Sequence, residues 1–282
     1  MLCSMSAVSK ASNNYRLLRT GTAVMPVHLA FGDIPAEELS DALGAEMLEA
    51  GRVATTYNCV LLDIGGKLAL VDTGLPAEDP ASVEPPVVAG LRALGVSPSA
   101  VELIILSHAH ADHLGGLLCN GQPVFENAEH LLSSIEWQYW VESDDPAGLQ
   151  ADLYAGLREE AVGTLPPLRE AGLLRLVDGD TSPWSGIDVM AAPGHTPGHL
   201  AVRVTCGTDI LLYIGDAFLH EVMFQHPDWM GIVDTDRTAT LDTRHRLLEL
   251  AASPNVMVAG SHLRDLGDVV TMDQGFRWEG RR

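Results

Sequence analysis

The stretch VELIILSHAHADHLGG (residues 101–116) sets an apolar run of strand character, 101–106, directly before four ligating side chains, His108, His110, Asp112 and His113. A turn after a strand can aim alternate side chains at one point, and imidazole with carboxylate suits zinc, iron, manganese or cobalt. The bland alternative, a surface histidine cluster, gives way because three further candidate ligands recur downstream in equally structured settings. His195 stands in the loop GHTPGH after the apolar run 187–191, Asp216 follows the run 210–214, and His262 follows the run 256–259. Each lies just past the end of an expected strand, where a rigid framework holds a side chain while leaving its tip in a cleft.

Working outward, YNCVLLDIGGKLALVDTG (residues 57–74) contains two apolar runs, 59–64 and 67–71, joined by Gly65-Gly66, which predicts a β-hairpin with a two-residue turn. Runs at 101–106, 174–177, 187–191, 200–204, 210–214 and 256–259 read as strands, and 87–94, 133–141, 152–162 and 237–252 as helices. Strands and helices are therefore interspersed, which points to an α/β (α+β) class. No repeat, low-complexity segment or Gly/Ser linker marks a boundary, so one domain over 1–282 is expected, with 1–55 as an N-terminal extension whose strands pack on it.

Composition narrows the partners. Seventeen Lys and Arg against 38 Asp and Glu give a net charge of −21, which repels phosphate backbones and anionic membrane surfaces, so neither nucleic acid nor membrane is expected. No stretch approaches a membrane span, and residues 1–17 lack the pattern of a secretory signal, so a cytoplasmic location is expected. Cys3, Cys59, Cys119 and Cys206 show no CxxC spacing and read as small apolar residues, not as a disulfide framework or redox pair.

HxHxDH, GHTPGH, GD and a late GSH, in this order and each behind a strand, resemble the metallo-β-lactamase superfamily over the span from the VDTG hairpin to His262. Within it, the stretch before the hairpin and residues 216–244 are similar to methyl parathion hydrolase and related lactonases. The resemblance implies a four-layer αβ/βα sandwich of two mixed β-sheets flanked by helices, with metals at one edge, and a homodimer. It also implies that His108, His110 and His195 hold one divalent ion, that Asp112, His113 and His262 hold a second, and that Asp216 bridges both, with zinc the first choice and iron, manganese or cobalt the others. The chemistry agrees: five neutral imidazoles need anionic partners to offset two dications. Water shared by such a pair loses a proton near neutral pH, so the leading reading is a hydrolase that attacks a lactone, ester or organophosphate ester of a small-molecule substrate with a metal-bridging hydroxide. Asp112, Asp216 and His220 are the expected catalytic residues.

The competing readings are a glyoxalase II-like thioester hydrolase and a mononuclear iron persulfide dioxygenase, both of which resemble the same ligand run. A flavodiiron oxidoreductase would need a flavodoxin domain for which the chain has no room. A β-lactamase is disfavoured by Asp216, a nuclease by the charge, and a non-catalytic module by a ligand set larger than structural zinc needs. Beside the ligands, His199 and His220 are each placed to orient a ligand or touch substrate, against the commoner structural role of a buried imidazole. Related acyl-homoserine lactonases carry a tyrosine three residues after the bridging aspartate; here Leu219 stands there. Asp72-Thr73-Gly74 reads as a tight turn, Asp236 with Arg244 as a brace at a helix start, and Trp137, Tyr139, Trp140, Phe218, Met223, Phe224 and Trp229 as pocket lining or, more commonly, core.

Overall fold

The computed structural model describes residues 14–43, 51–77, 84–144 and 148–281. Two mixed sheets stack face to face. In spatial order the first holds β1 (Tyr15–Pro26), β2 (Arg52–Ile64), β3 (Lys67–Val71), β4 (Val101–Ile105) and, past a short ribbon of β5 (Leu118–Cys119) with β6 (Gln122–Pro123), β7 (Glu129–Ser133) and β8 (Leu174–Val177). The second runs from β9 (Thr181–Trp184) through β10 (Ile187–Ala191), β11 (Leu200–Cys206), β12 (Asp209–Tyr213), β13 (Val256–Ala259) and β14 (Gly267–Thr271) to β15 (Phe276–Gly280).

The alternation of side chains along a strand explains the layering. On β2, Val60 and Leu62 face the second sheet in the central core, together with Val71, Ile105, Val189, Val202, Tyr213 and Ala259. Cys59 and Leu61 face the other way, into a layer shared with α3 (Pro86–Ala93) and α6 (Ala151–Glu170). The outer face of the second sheet is covered by α1 (Val27–Phe31), α2 (Ala36–Leu43) and α7 (Arg237–Ala251). Strands covered on both faces read as near-continuous apolar runs, which is why those of β2 and β10 to β13 were legible in the sequence.

The hairpin forms as expected, with Gly65 and Gly66 at φ 65° and 91° and Ile64 paired with Lys67, although β2 begins earlier, at Arg52. Three readings are corrected. Helix α6 passes through Pro166 and Pro167 to Glu170, because Ala161, Leu165 and Leu168 hold that turn against the core. The helix expected over 133–141 is α5 (Ser134–Trp137) continued by a π-turn, Gln138–Glu142. Strands β1, β5, β6, β7, β9, β14 and β15 were not singled out as runs; β7 (EHLLS) lacks β-branched residues and owes its conformation to parallel partners on both sides. Among the described residues no helix is long and apolar enough to cross a membrane.

Candidate metal centre

All the ligand-bearing loops leave their strands at one edge of the sandwich. Residues 107–110 follow β4 and lead into α4 (Ala111–Leu114), which carries Asp112 and His113, while His195, Asp216 and His262 follow β10, β12 and β13. The two sheets are stitched at this edge by Leu200 N–H donating to Ser107 O at 2.8 Å and Asn58 N–H donating to Ser261 O at 2.9 Å. Gly215, at φ 50°, is needed here: a Cβ would stand 2.5 Å from Nε2 of His199.

The seven expected ligands come together as two groups that share one residue. In the first, Nε2 of His108 and Nε2 of His195 lie 2.9 and 3.2 Å from Nδ1 of His110, and Oδ2 of Asp216 lies 3.5 Å from His195 and 3.9 Å from His108. In the second, Nε2 of His113 is 3.6 Å from Asp112 Oδ2 and 3.3 Å from Asp216 Oδ1, while Nε2 of His262 is 3.5 Å from Asp112 Oδ2 and 2.9 Å from Asp216 Oδ2. Within each group all donor atoms fall within 4.8 Å of one another. Ligands about 2.0–2.1 Å from a tetrahedral zinc stand roughly 3.3 Å apart, so both groups have the spacing that a divalent cation requires. Chemistry agrees with spacing, since Nε2 of His113 and Oδ1 of Asp216 are buried, face each other and have no hydrogen-bond partner.

The outer nitrogens of the rings are fixed by partners the sequence reading did not assign. Nδ1–H of His113 donates to Asp72 Oδ2 at 2.8 Å, and Nδ1–H of His195 donates to Asp234 Oδ1 at 2.8 Å. Nδ1 of His262 meets Thr56 O at 2.9 Å and the Thr55 hydroxyl at 3.1 Å. Such contacts fix the tautomer and raise the basicity of the inner nitrogen. Asp72, at φ 60°, also accepts from Ser107 N–H and Oγ–H and from Tyr213 Oη–H, each at 2.7 Å. The DTG segment is therefore more than a turn: it orients His113, a member of the second candidate group.

Electrostatics separate the groups. Burial, reinforced by His113 and His110, pushes His108 well below its ordinary value, and burial with His195 does the same to His110. For His113 and His262 burial acts in the same direction but Asp216 overcomes it, holding His113 well above the ordinary value and His262 up to about 8. Burial opposes ionisation of Asp216, yet His262 and His113 keep its carboxyl well below the usual range. One group is thus a set of neutral lone pairs, and the other is dominated by carboxylate.

His199 holds the backbone of Asp216: its Nε2 accepts from Asp216 N–H at 3.0 Å while Nδ1–H donates to Ala192 O at 3.1 Å. Burial, then His195, pushes it down to about 4, so it remains neutral. His220 is turned to its own chain, with Nδ1 accepting from Val222 N–H at 3.1 Å and Nε2 3.6 Å from Glu221 Oε2. Leu219 and the seven aromatic and methionine positions are buried, as core. The expected Asp236–Arg244 brace is replaced. Asp236 caps α7 by accepting from Thr238 and Ala239 N–H, whereas the buried Arg244 faces Asp234 at 3.7 Å and donates to Ala217, Pro227 and Trp229 carbonyls.

Asp112 is the most open member of its candidate group, with 22% of its side chain exposed against 4% or less for the others. Beside it stands Tyr57, half-buried, its ring edge-on to His262 at 5.5 Å between centroids. Burial, then Asp112 and Asp216, raises the Tyr57 phenol, which keeps it a protonated donor. Strand alternation would have placed Thr55 and Tyr57 on one face, but nothing local says that this face meets His262.

Residues 53–262 match the family model described as the metallo-beta-lactamase superfamily. A probable metallo-hydrolase of Mycobacterium tuberculosis is 26% identical over 263 aligned residues, covering 79% of this chain and 80% of that protein. An N-acyl homoserine lactonase of Bacillus cereus is 25% identical, covering 72% and 80%. Among solved structures, AidC, a dizinc quorum-quenching lactonase in complex with its product, superposes with a TM-score of 0.86 at 25% identity over 99% of this chain and 97% of that one. The hydrolase AbOPH of the beta lactamase superfamily gives 0.86 at 26% identity, covering 99% of each.

Proposed function

The chain belongs to the metallo-beta-lactamase superfamily, and on that premise we propose that it is a single-domain hydrolase that opens a lactone, or cleaves a related ester, at a centre of two zinc ions. The observation that carries this reading is Asp216, whose Oδ1 faces His113 while Oδ2 faces His262, His195 and His108. His108, His110 and His195 would hold one ion and Asp112, His113 and His262 the other, with Asp216 common to both. The dizinc lactonase AidC supports the choice of a lactone. Bound there, two divalent ions supply an activated water and polarise the scissile carbonyl or phosphoryl oxygen.

The chain's own residues do the rest. Asp112, the open carboxylate, accepts a hydrogen bond from the attacking water and orients it. Tyr57, a neutral phenol beside Asp112 and His262, donates to a substrate oxygen. His220, whose Nδ1 holds Val222 N–H and whose Nε2 lies 3.6 Å from Glu221 Oε2, is assigned a substrate contact. The buried rings of the first group exclude bulk water, which strengthens every charge interaction in the cleft.

Elemental analysis of the purified chain, followed by a screen of acyl-homoserine lactones, aryl esters, phosphotriesters and glutathione thioesters, tests the proposal. Two divalent ions per chain with lactones turned over at the highest kcat/KM is the expected result. One iron per chain, with oxygen uptake and sulfite release from a persulfide, would overturn it, as would a marked preference for thioesters.

A further inference from the structure

Glu136 is a fully buried carboxylate on α5, and among the described residues no lysine or arginine pairs with it. Burying a carboxylate without a cation is costly, so its retention needs a reason. Its partners supply one. Oε2 accepts from Ala109 N–H at 3.1 Å and from Trp140 Nε1–H at 2.8 Å, and Oε1 accepts from Gly198 N–H at 2.9 Å. Ala109 sits between His108 and His110, and Gly198 sits between His195 and His199. One carboxylate therefore ties together the two loops that bring all three imidazoles of the first group.

The surrounding geometry is built for this approach. A Cβ on Gly198 would fall 2.4 Å from Glu136 N and 2.8 Å from Ser133 Oγ, so a glycine lets the loop reach the carboxylate. The Trp140 ring, anchored by Glu136, packs edge-on against His110 at 5.3 Å. Next along the loop, His199 holds Asp216 N–H, so the shared carboxylate is indexed from the same anchor. By contrast His113 and His262 take their orientation from Asp72 and from Thr55 and Thr56, which do not touch Glu136.

We propose that Glu136 is the positioning residue of the first ligand group, a buried clamp that sets the spacing of His108, His110 and His195 and thereby the affinity of that position for its cation. The inference rests on the two-ion reading above. Burial raises the Glu136 carboxyl, while the Thr196 hydroxyl and the Gly198, Ala109 and Trp140 N–H groups work in the opposite direction by solvating the ionised form. Glu136→Gln keeps the size but turns an NH2 group toward N–H donors, so one end of the clamp must open.

The test is a zinc titration of the full-length chain against a competing chelator, with the positions told apart by the imidazole 15N signals of His195 and His262. In Glu136→Gln the ion read by His195 should bind about 10- to 100-fold more weakly, with the ion read by His262 within about threefold of wild type. Trp140→Phe, which removes one donor and leaves the carboxylate, should shift the same ion in the same direction by less, and it serves if Glu136→Gln does not fold. Equal weakening of both ions, or no weakening of the His195 ion, would overturn the clamp. A wild-type chain that takes up one ion only would refute the two-ion reading instead, and the clamp would then stand or fall on whether the variants weaken that ion.

Discussion

Replacing His130 with phenylalanine isolates one contribution to the acid stability of the fold. His130 lies on β7, fully buried, paired with Ile104 of β4 and a member of neither candidate ligand group. Burial pushes its imidazole down to about 4 from 6.5, with the Leu173 and Ala128 backbone pulling partway back. Between those values the unfolded chain binds a proton that the folded chain refuses. Stability is therefore intact above about pH 6.5 and falls as pH drops, until both states are protonated near pH 4. A gap of about 2.5 pH units at 1.36 kcal/mol each amounts to about 3 kcal/mol, a large share of the stability of an ordinary domain. Urea denaturation of zinc-stripped wild type and His130→Phe, stepped from about pH 7.5 to about pH 4, should show the difference in unfolding free energy moving by about 3 kcal/mol in favour of the variant on acidification. Other buried histidines titrate in both proteins and cancel in that difference. A difference that does not change with pH would refute the reasoning.

Asp216→Ala removes the carboxylate common to both groups; elemental analysis should find at least one position depleted, and turnover should fall about 100-fold or more. His220→Ala is its companion: both ions should stay bound while kcat/KM drops, so lost metal would show that His220 supports the site and does not touch substrate. Asp234→Asn leaves His195 without its anionic partner and should weaken zinc about 10- to 100-fold in a chelator competition, with Thr235 N–H still holding the loop through His195 O. Tyr57→Phe should retain both ions and lower kcat/KM for a lactone about 10-fold, a loss that unchanged steady-state kinetics would contradict.

Each member of the two candidate ligand groups was legible in the sequence for a physical reason. A strand buried on both faces leaves an apolar run, its end leaves a turn, and a histidine or aspartate at that turn stands out: His108 to His113 after β4, His195 after β10, Asp216 after β12 and His262 after β13. Periodicity also gave the hairpin and an interspersed series of strands and helices, whereas the layered sandwich was implied by the resemblance of the ordered motifs to the superfamily. Only the tertiary structure decided which groups stand behind the ligands. Asp72 reaches His113 across 41 positions and Asp234 reaches His195 across 39, and a carboxylate destined for burial looks in sequence like any of the other acidic residues. The Asp236–Arg244 expectation failed on this point, because pairing between a loop and a helix depends on how the loop folds back, and Asp234 was the residue brought to Arg244. Glu136 is the extreme case: the partners by which it joins the two loops are backbone N–H groups of Ala109 and Gly198, and a backbone donor leaves no trace in the identity of the residue that carries it.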